Sequence, residues 1–251
     1  MRLVFAGATD VGCVRDHNED SFAIAERHRL CLVADGMGGH ELGEVASKLA
    51  ADAVVGYYDR TEAAWQAAPA ATGEALAAAS GRLVAAIELA NRLVFQLAVE
   101  QRKVMGTTIV AAHIVDHTMC VAHIGDSRAY LVREGSIAQL TRDHSALEDF
   151  KQARPDASPE EIESFPYRNV IMRALGTSPK VAIDTATFVV GPGDVVLLCC
   201  DGLSNKLSDD EMLRIVSHQP DLQSAAFDLI LAANEAEADD NVTAVLARCE
   251  S

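Results

Sequence analysis

The sequence has no CxxC pair among its six cysteines, Cys13, Cys31, Cys120, Cys199, Cys200 and Cys249. Zinc ribbons and thioredoxin-like redox chemistry therefore have no support. Cys31, Cys199 and Cys200 sit inside apolar runs, where a thiol behaves as a small buried hydrophobe. Long hydrophobic runs are also missing. MRLVFAGATD carries no extended apolar stretch after its one arginine, which argues against a secretory leader. VVLLCC is far too short to span a bilayer. Basic residues are scarce, with 21 Lys and Arg against 37 Asp and Glu and a net charge of -16. Nucleic acid and anionic membranes need a basic face, so neither is expected as a partner. These absences lead to the expectation of a reduced, cytoplasmic, acidic protein without membrane insertion.

What is present fits one domain over residues 1–251, with a hydrophobic fraction of 49% that suffices for a substantial core. Residues 21–35 read as a hairpin turning near Arg27 and His28. TTIVAAHIV, MCVAHIGD, RAYLVRE and SIAQLT, over residues 107–140, read as a meander with short connections at Asp116-His117, Asp126-Ser127 and Glu134-Gly135. Further strands are predicted over 183–200, around the turn Gly191-Pro192-Gly193, and over 242–248. Apolar residues at helical spacing predict one helix from about Gly43 to Tyr58 and a longer one, from Leu76 past Leu97, ending near Arg102. The stretch between them, with Pro69 and Gly73, reads as a loop. Two more helices are predicted after Ser208, with Glu211 closing a capping box, and after Asp221. Strands with helices segregated between them imply an α+β domain of antiparallel sheets flanked by helices. Residues 143–172 are polar and proline-containing, the pattern of a surface flap.

Chemistry is carried by acids that sit where apolar runs meet turn signals: Asp20 in NEDSF, Asp35 in LVADGMGG, Asp201 in LLCCDGLS and Asp240 in ADDNVTAVL. Strands end at such places, so these carboxylates can converge at one rim. Clustered carboxylates repel one another unless cations hold them, and oxygen ligands favour magnesium or manganese. Gly36, after Asp35, lets the backbone bring a carbonyl within ligand reach, although an ordinary glycine-rich turn reads the same way. The segment lacks the GxGxxG spacing and the Walker lysine, so it is no nucleotide cradle. Arg15 precedes Glu19 and Asp20; its guanidinium can hold two phosphate oxygens or form a surface salt bridge. Asp126, in Gly125-Asp126-Ser127-Arg128, is a further candidate ligand, with the alternative that Arg128 simply neutralises it.

In order and wording these blocks resemble the metal-dependent protein phosphatases of the protein phosphatase 2C (PPM) family, especially compact bacterial members. Gly106-Thr107-Thr108, LTRDHS at 140–145 and NVIMRALG at 169–176 add to the resemblance, which runs from about Asp10 to Arg248. It implies a four-layer αββα sandwich of two packed antiparallel sheets with the metal site at one end. It also implies hydrolysis of phosphoserine and phosphothreonine in proteins by water bridging two Mn2+ or Mg2+ ions. Asp35, Asp201 and Asp240 would ligate one ion, with Asp35 bridging to a second that also takes the Gly36 carbonyl and Glu19. Asp20 would orient the cluster, and Arg15 would grip substrate phosphate. A third, weak ion would use Asp126 and Asp201, because the position that is often acidic in the family is Asn205. Met37 stands where many members carry a histidine that protonates the leaving group, so water on a metal would serve instead and His40 would be structural. His113, His117 and His123 show no mutual ligand spacing and read as packing or surface residues. No cysteine has an arginine six positions on, and no DxDx[TV] motif occurs, in keeping with direct attack by water. A phosphoprotein substrate, an opposing bacterial Ser/Thr kinase and a monomeric state are the implied partnerships. A phosphatase-like module that only binds phosphoproteins and a small-molecule phosphomonoesterase are the alternatives.

Overall fold

The computed structural model describes residues 1–38, 41–66, 72–168 and 170–251. Strand β1 (Arg2–Asp10) is followed by the hairpin of β2 (Asp20–Ala25) and β3 (Leu30–Met37), then by helices α1 (Glu41–Gln66) and α2 (Thr72–Gln101). Next come β4 (Gly106–Thr107), β5 (Ile109–Val115), β6 (Thr118–Ile124), β7 (Arg128–Arg133) and β8 (Ser136–Gln139). Two short helices, α3 (Ala146–Ala153) and α4 (Pro159–Glu163), precede β9 (Asp184–Val189) and β10 (Val195–Cys199). The chain continues through α5 (Asp201–Ser204), α6 (Asp209–His218) and α7 (Leu222–Glu235) into β11 (Val242–Glu250).

One sheet runs β1-β11-β10-β7-β8 and the other β2-β3-β5-β6-β9, with β4 beside β3; the strand pairs are antiparallel. Side chains alternate across each strand, and the central strands β5, β6, β10 and β11 are buried on both faces, so they read as continuous apolar runs. Leu30 and Leu32 of β3 pack outward on Val54, Leu83 and Ile87 of α1 and α2, while Cys31 and Val33 face inward. In β10, Leu197 packs outward on Met212 and Leu229 of α6 and α7, while Val196 and Leu198 meet Val33 and Val110 between the sheets. Helices, sheet, sheet and helices give the four layers the sequence resemblance implies.

Several boundaries differ from the sequence reading. β6 and β7 lie in different sheets, so residues 107–140 form two hairpins rather than one meander. The Gly125-Asp126-Ser127 connection is short because it steps between packed sheets, which delivers Asp126 to the rim. β1 was not anticipated; it pairs along its whole length with β11. α1 runs on to Gln66 and α2 starts at Thr72, because alanines keep up helix propensity where apolar periodicity fades. The remainder of the expected loop, including Pro69, lies outside the described residues. The Ser208–Glu211 capping box is present, and a second, Ser158–Glu161, starts α4.

Leu198 is fully buried between the sheets. Replacing it with alanine should cost about 2–5 kcal/mol, read as a lowered urea midpoint at unchanged slope.

Candidate active site

Antiparallel pairing gathers the predicted acids at one end of the sandwich. Asp35 lies near the end of β3, directly across from Asp20 at the start of β2. Asp201 follows β10 as the first residue of α5, and Asp240 lies two residues before the start of β11, the antiparallel neighbour of β10. Like charges facing each other across a strand pair destabilise it, so this arrangement has to be compensated.

A cavity of about 670 Å³ is lined by Arg15, Glu19, Asp35, Gly36, Asp201 and Asp240, with Met37 and Ile171 also on its wall. Asp126 lines a smaller neighbouring cavity that shares Asp201 and Asn205 with it. Asp20 is buried and accepts from the Thr243 hydroxyl at 2.6 Å. The predicted set is thus brought together at one end of the sandwich; His40, expected to be structural, lies outside the described residues. Arg15 Nη2 donates to Asp240 Oδ2 at 2.7 Å, an ion pair between residues far apart in sequence. Among the described residues Arg128 makes no ion pair with Asp126, although its charge partly offsets the rise in the Asp126 pKa. Its Nε and Nη2 donate to Asp143, the Nη2 bond at 2.6 Å, because the guanidinium fork fits a single carboxylate. Asn205 Nδ2 donates to Asp201 Oδ2 at 3.2 Å, where an acid would repel it.

Electrostatics mark the cluster as unfinished. Burial, reinforced by the charges of Asp201 and Asp240, pushes the Asp20 pKa up to about 7 against the hydrogen bonds from Thr243 and Cys200. Asp126 is likewise pushed up to about 7, by burial and then by the Asp201 charge. Asp35 is held well above the usual carboxylate range by burial and by the charges of Asp20, Asp201, Asp126 and Asp240. Asp201 is raised by burial and by Asp240. Among the described residues, Asp20 Oδ1 and Asp126 Oδ1 are buried without a hydrogen-bond partner. An all-oxygen donor set with orphaned, mutually repelling carboxylates fits hard divalent cations such as Mn2+ or Mg2+.

Residues that sequence reasoning passed over hold this set in place. Asn241 Oδ1 accepts from Glu19 N at 2.8 Å, while its Nδ2 donates to the carbonyls of Val11 and His17, both at 2.9 Å. Thr107 Oγ1 donates to Asp35 O at 2.9 Å, and Asp35 N donates to Thr108 Oγ1 at 3.1 Å. Gly36 N donates to Glu19 O at 3.1 Å. A Cβ on Gly36 would overlap the backbone of Gly43 in α1, so this glycine is there for close approach. The Gly106-Thr107-Thr108 and Asp240-Asn241 wording was the available signal, but the roles needed the partners. His113 packs against Tyr58 and Trp65, as a core histidine would. His123, by contrast, stacks on His144 beside Asp184, a grouping no sequence spacing reveals.

The sequence pattern described as "Protein phosphatase 2C" matches residues 14–247. The chain belongs to the protein phosphatase 2C family. Among its relatives, "Serine/threonine phosphatase stp" of Listeria welshimeri is 34% identical over 243 residues, covering 95% of this chain and 92% of that protein. "Serine/threonine protein phosphatase PstP" of Mycobacterium tuberculosis is 37% identical over 250 residues, 98% of this chain and 45% of that protein. The crystal structure of PstP/Ppp from Mycobacterium tuberculosis matches all of this chain and all of that one, at 34% identity and a TM-score of 0.84. A PstP catalytic domain in complex with two manganese ions matches 99% of both chains at 32% identity and a TM-score of 0.82. The protein phosphatase 2C sandwich is therefore shared over the whole chain.

The raised carboxylates set a pH dependence. Asp20 and Asp126 bind protons more tightly folded than unfolded between their ordinary pKa, 3.8, and about 7. In that window the native state holds the extra protons, so its stability falls as pH rises. Thermal unfolding in a chelator should show a falling Tm from pH 5 to pH 7.5, and excess Mn2+ should flatten or reverse the trend. A Tm in chelator that climbs with pH would contradict the raised carboxylates.

Proposed function

We propose that this protein phosphatase 2C member hydrolyses phosphoserine and phosphothreonine in proteins through Asp35, Asp201, Asp240 and Arg15. The observation that carries the assignment is that these four side chains line one cavity although they come from distant parts of the chain. Asp35, Asp201 and Asp240 would hold one divalent cation. Asp35, the Gly36 carbonyl and Glu19 would serve a second, with Asp20 supporting the cluster from beneath. Asp126 and Asp201 would hold a weaker third, because Asn205 brings an amide rather than a carboxylate. When bound, the cations supply Lewis acidity, acidifying water near neutrality and neutralising phosphoryl charge.

The protein's own groups do the positioning. Arg15, at the cavity wall beside Asp240, offers a planar fork that holds two phosphate oxygens and orients phosphorus for in-line attack. Met37 puts a thioether, not a proton donor, on the cavity wall. Buried and mutually repelling carboxylates favour the states in which cations neutralise them, which ties activity to metal. Asp35, Asp201 and Asp240 line the same cavity, which weighs against a module that only binds phosphoproteins.

Residues 143–172 supply Ile171 to the main cavity and Ser145, Leu147 and Arg168 to the smaller one, and they serve as the flap that selects protein substrates. An opposing bacterial Ser/Thr kinase, a monomeric state and a cytoplasmic location complete the reading. Among the described residues no helix is long and apolar enough to cross a membrane.

Asp201→Asn should lower manganese-dependent turnover of a phosphothreonine peptide at least about a hundredfold, since it removes a ligand charge shared by two of the proposed ions. Activity that survives this change, or that persists in chelator, would remove the mechanism. Arg15→Lys keeps the charge but loses the two-pronged grip, and should raise the peptide KM about tenfold. An unchanged KM would leave Arg15 as a structural partner of Asp240 only.

A further inference from the structure

His144 joins segments that approach the site from different directions. Its backbone N–H donates to Gly125 O at 2.9 Å, and Gly125 N–H donates back to His144 Nδ1 at 3.1 Å. Gly125 has φ 103°, and a Cβ there would strike the Thr108 side chain. The turn bearing Asp126 is thus pressed on the threonine that bonds both Ser127, at 2.7 Å, and Asp35 N. On the other side, Met172 N donates to His144 O at 2.7 Å and Ala146 N to Val170 O at 2.9 Å. These bonds flank the Ser145–Ile171 bridge, so the two stems of the 143–172 segment close at His144. Nε2 lies 3.2 Å from Asp184 Oδ2, and Arg173 Nη1 donates to Asp184 Oδ1 at 2.9 Å.

The proton positions decide what this cluster does. His144 is buried, which holds its pKa below the ordinary histidine value. Nδ1 accepts the Gly125 N–H, which puts the proton of the neutral ring on Nε2, facing Asp184; Arg173 Nη1, also 3.2 Å from Nε2, then donates to Asp184 alone. Ligand atoms of His123, His144 and Asp184 fall within 4.8 Å of one another, the spacing of a metal site. A protonated Nε2 and a guanidinium on the carboxylate leave no place for a cation. The cluster is a clasp.

We propose that His144 is a positioning residue coupling the root of the 143–172 segment to the Asp126 turn. The walls of both cavities and the presentation of Asp126 beside Asp201 are then set together. The coupling is a property of the fold; its kinetic consequence rests on the phosphatase reading above.

Two substitutions separate the arms of the clasp. His144→Asn keeps an acceptor near the Nδ1 position and loses the reach to Asp184; His144→Gln keeps the reach and loses the acceptor beside Gly125. In the full chain with Mn2+, His144→Gln should speed amide exchange at Gly125 and Met172 together, by about tenfold or more. His144→Asn should leave Gly125 exchange within about twofold of wild type. His144→Gln should also raise KM for a phosphothreonine peptide several-fold more than KM for a small aryl phosphate. Faster exchange at Gly125 without Met172, or equal responses in the two variants, would overturn the coupling. Should His144→Gln fail to fold, amide exchange of the wild-type protein in low urea judges the coupling: Gly125 and Met172 should open together with the same urea slope, and separate openings overturn the proposal. A wild type without manganese-dependent turnover would instead sink the phosphatase reading, while the exchange results judge the clasp separately.

Discussion

Mutual repulsion among buried carboxylates is the constraint around which this protein is arranged. Burial raises the Asp35 pKa most, and the charges of Asp20, Asp201, Asp126 and Asp240 add to the cost. A loop-built cluster of this kind would relax outward. Here the acids are anchored at strand ends and at a turn between sheets, and the strands are fixed by apolar layers on both faces. Packing energy spread over the whole sandwich thus opposes electrostatic strain concentrated at one rim. Divalent cations relieve the strain, which makes metal binding and native structure two aspects of one equilibrium.

Neutral polar groups translate the fold into site geometry. Asn241 gathers the backbone of residues 11–19 with both ends of its amide, placing Glu19 and Arg15 near Asp240. Thr107 and Thr108 clip Asp35 from two sides, and Thr108 passes the constraint to Ser127. Such uncharged groups hold position without adding to the charge imbalance. The His144 clasp extends the same scaffold to the segment overhanging the cavities. It does so with a neutral ring whose two nitrogens play opposite hydrogen-bonding roles.

Much of this was legible in advance where a local pattern has one physical cause. Ser208 and Glu211 predicted their own capping box because the two bonds close within a single turn. An aspartate after an apolar run predicted a strand-end acid for Asp35 and Asp201 because burial has to stop there. Where two causes compete locally, the reading failed. Four consecutive strands with short connections looked like a meander, since nothing in Gly125-Asp126-Ser127 says that the next strand joins another sheet. Alanine-rich chain past Tyr58 looked like loop because hydrophobic periodicity had faded while helix propensity had not.

The sequence alone therefore determined the family and the plan of antiparallel sheets flanked by helices, because these follow from residue type, order and period. Tertiary structure decided which carboxylates face each other, that Arg128 serves Asp143 rather than Asp126, and that Asn241 and His144 hold the site together. Those relations join residues far apart in the chain. Only the register of antiparallel strands and the contact of two sheets bring such residues within hydrogen-bond distance.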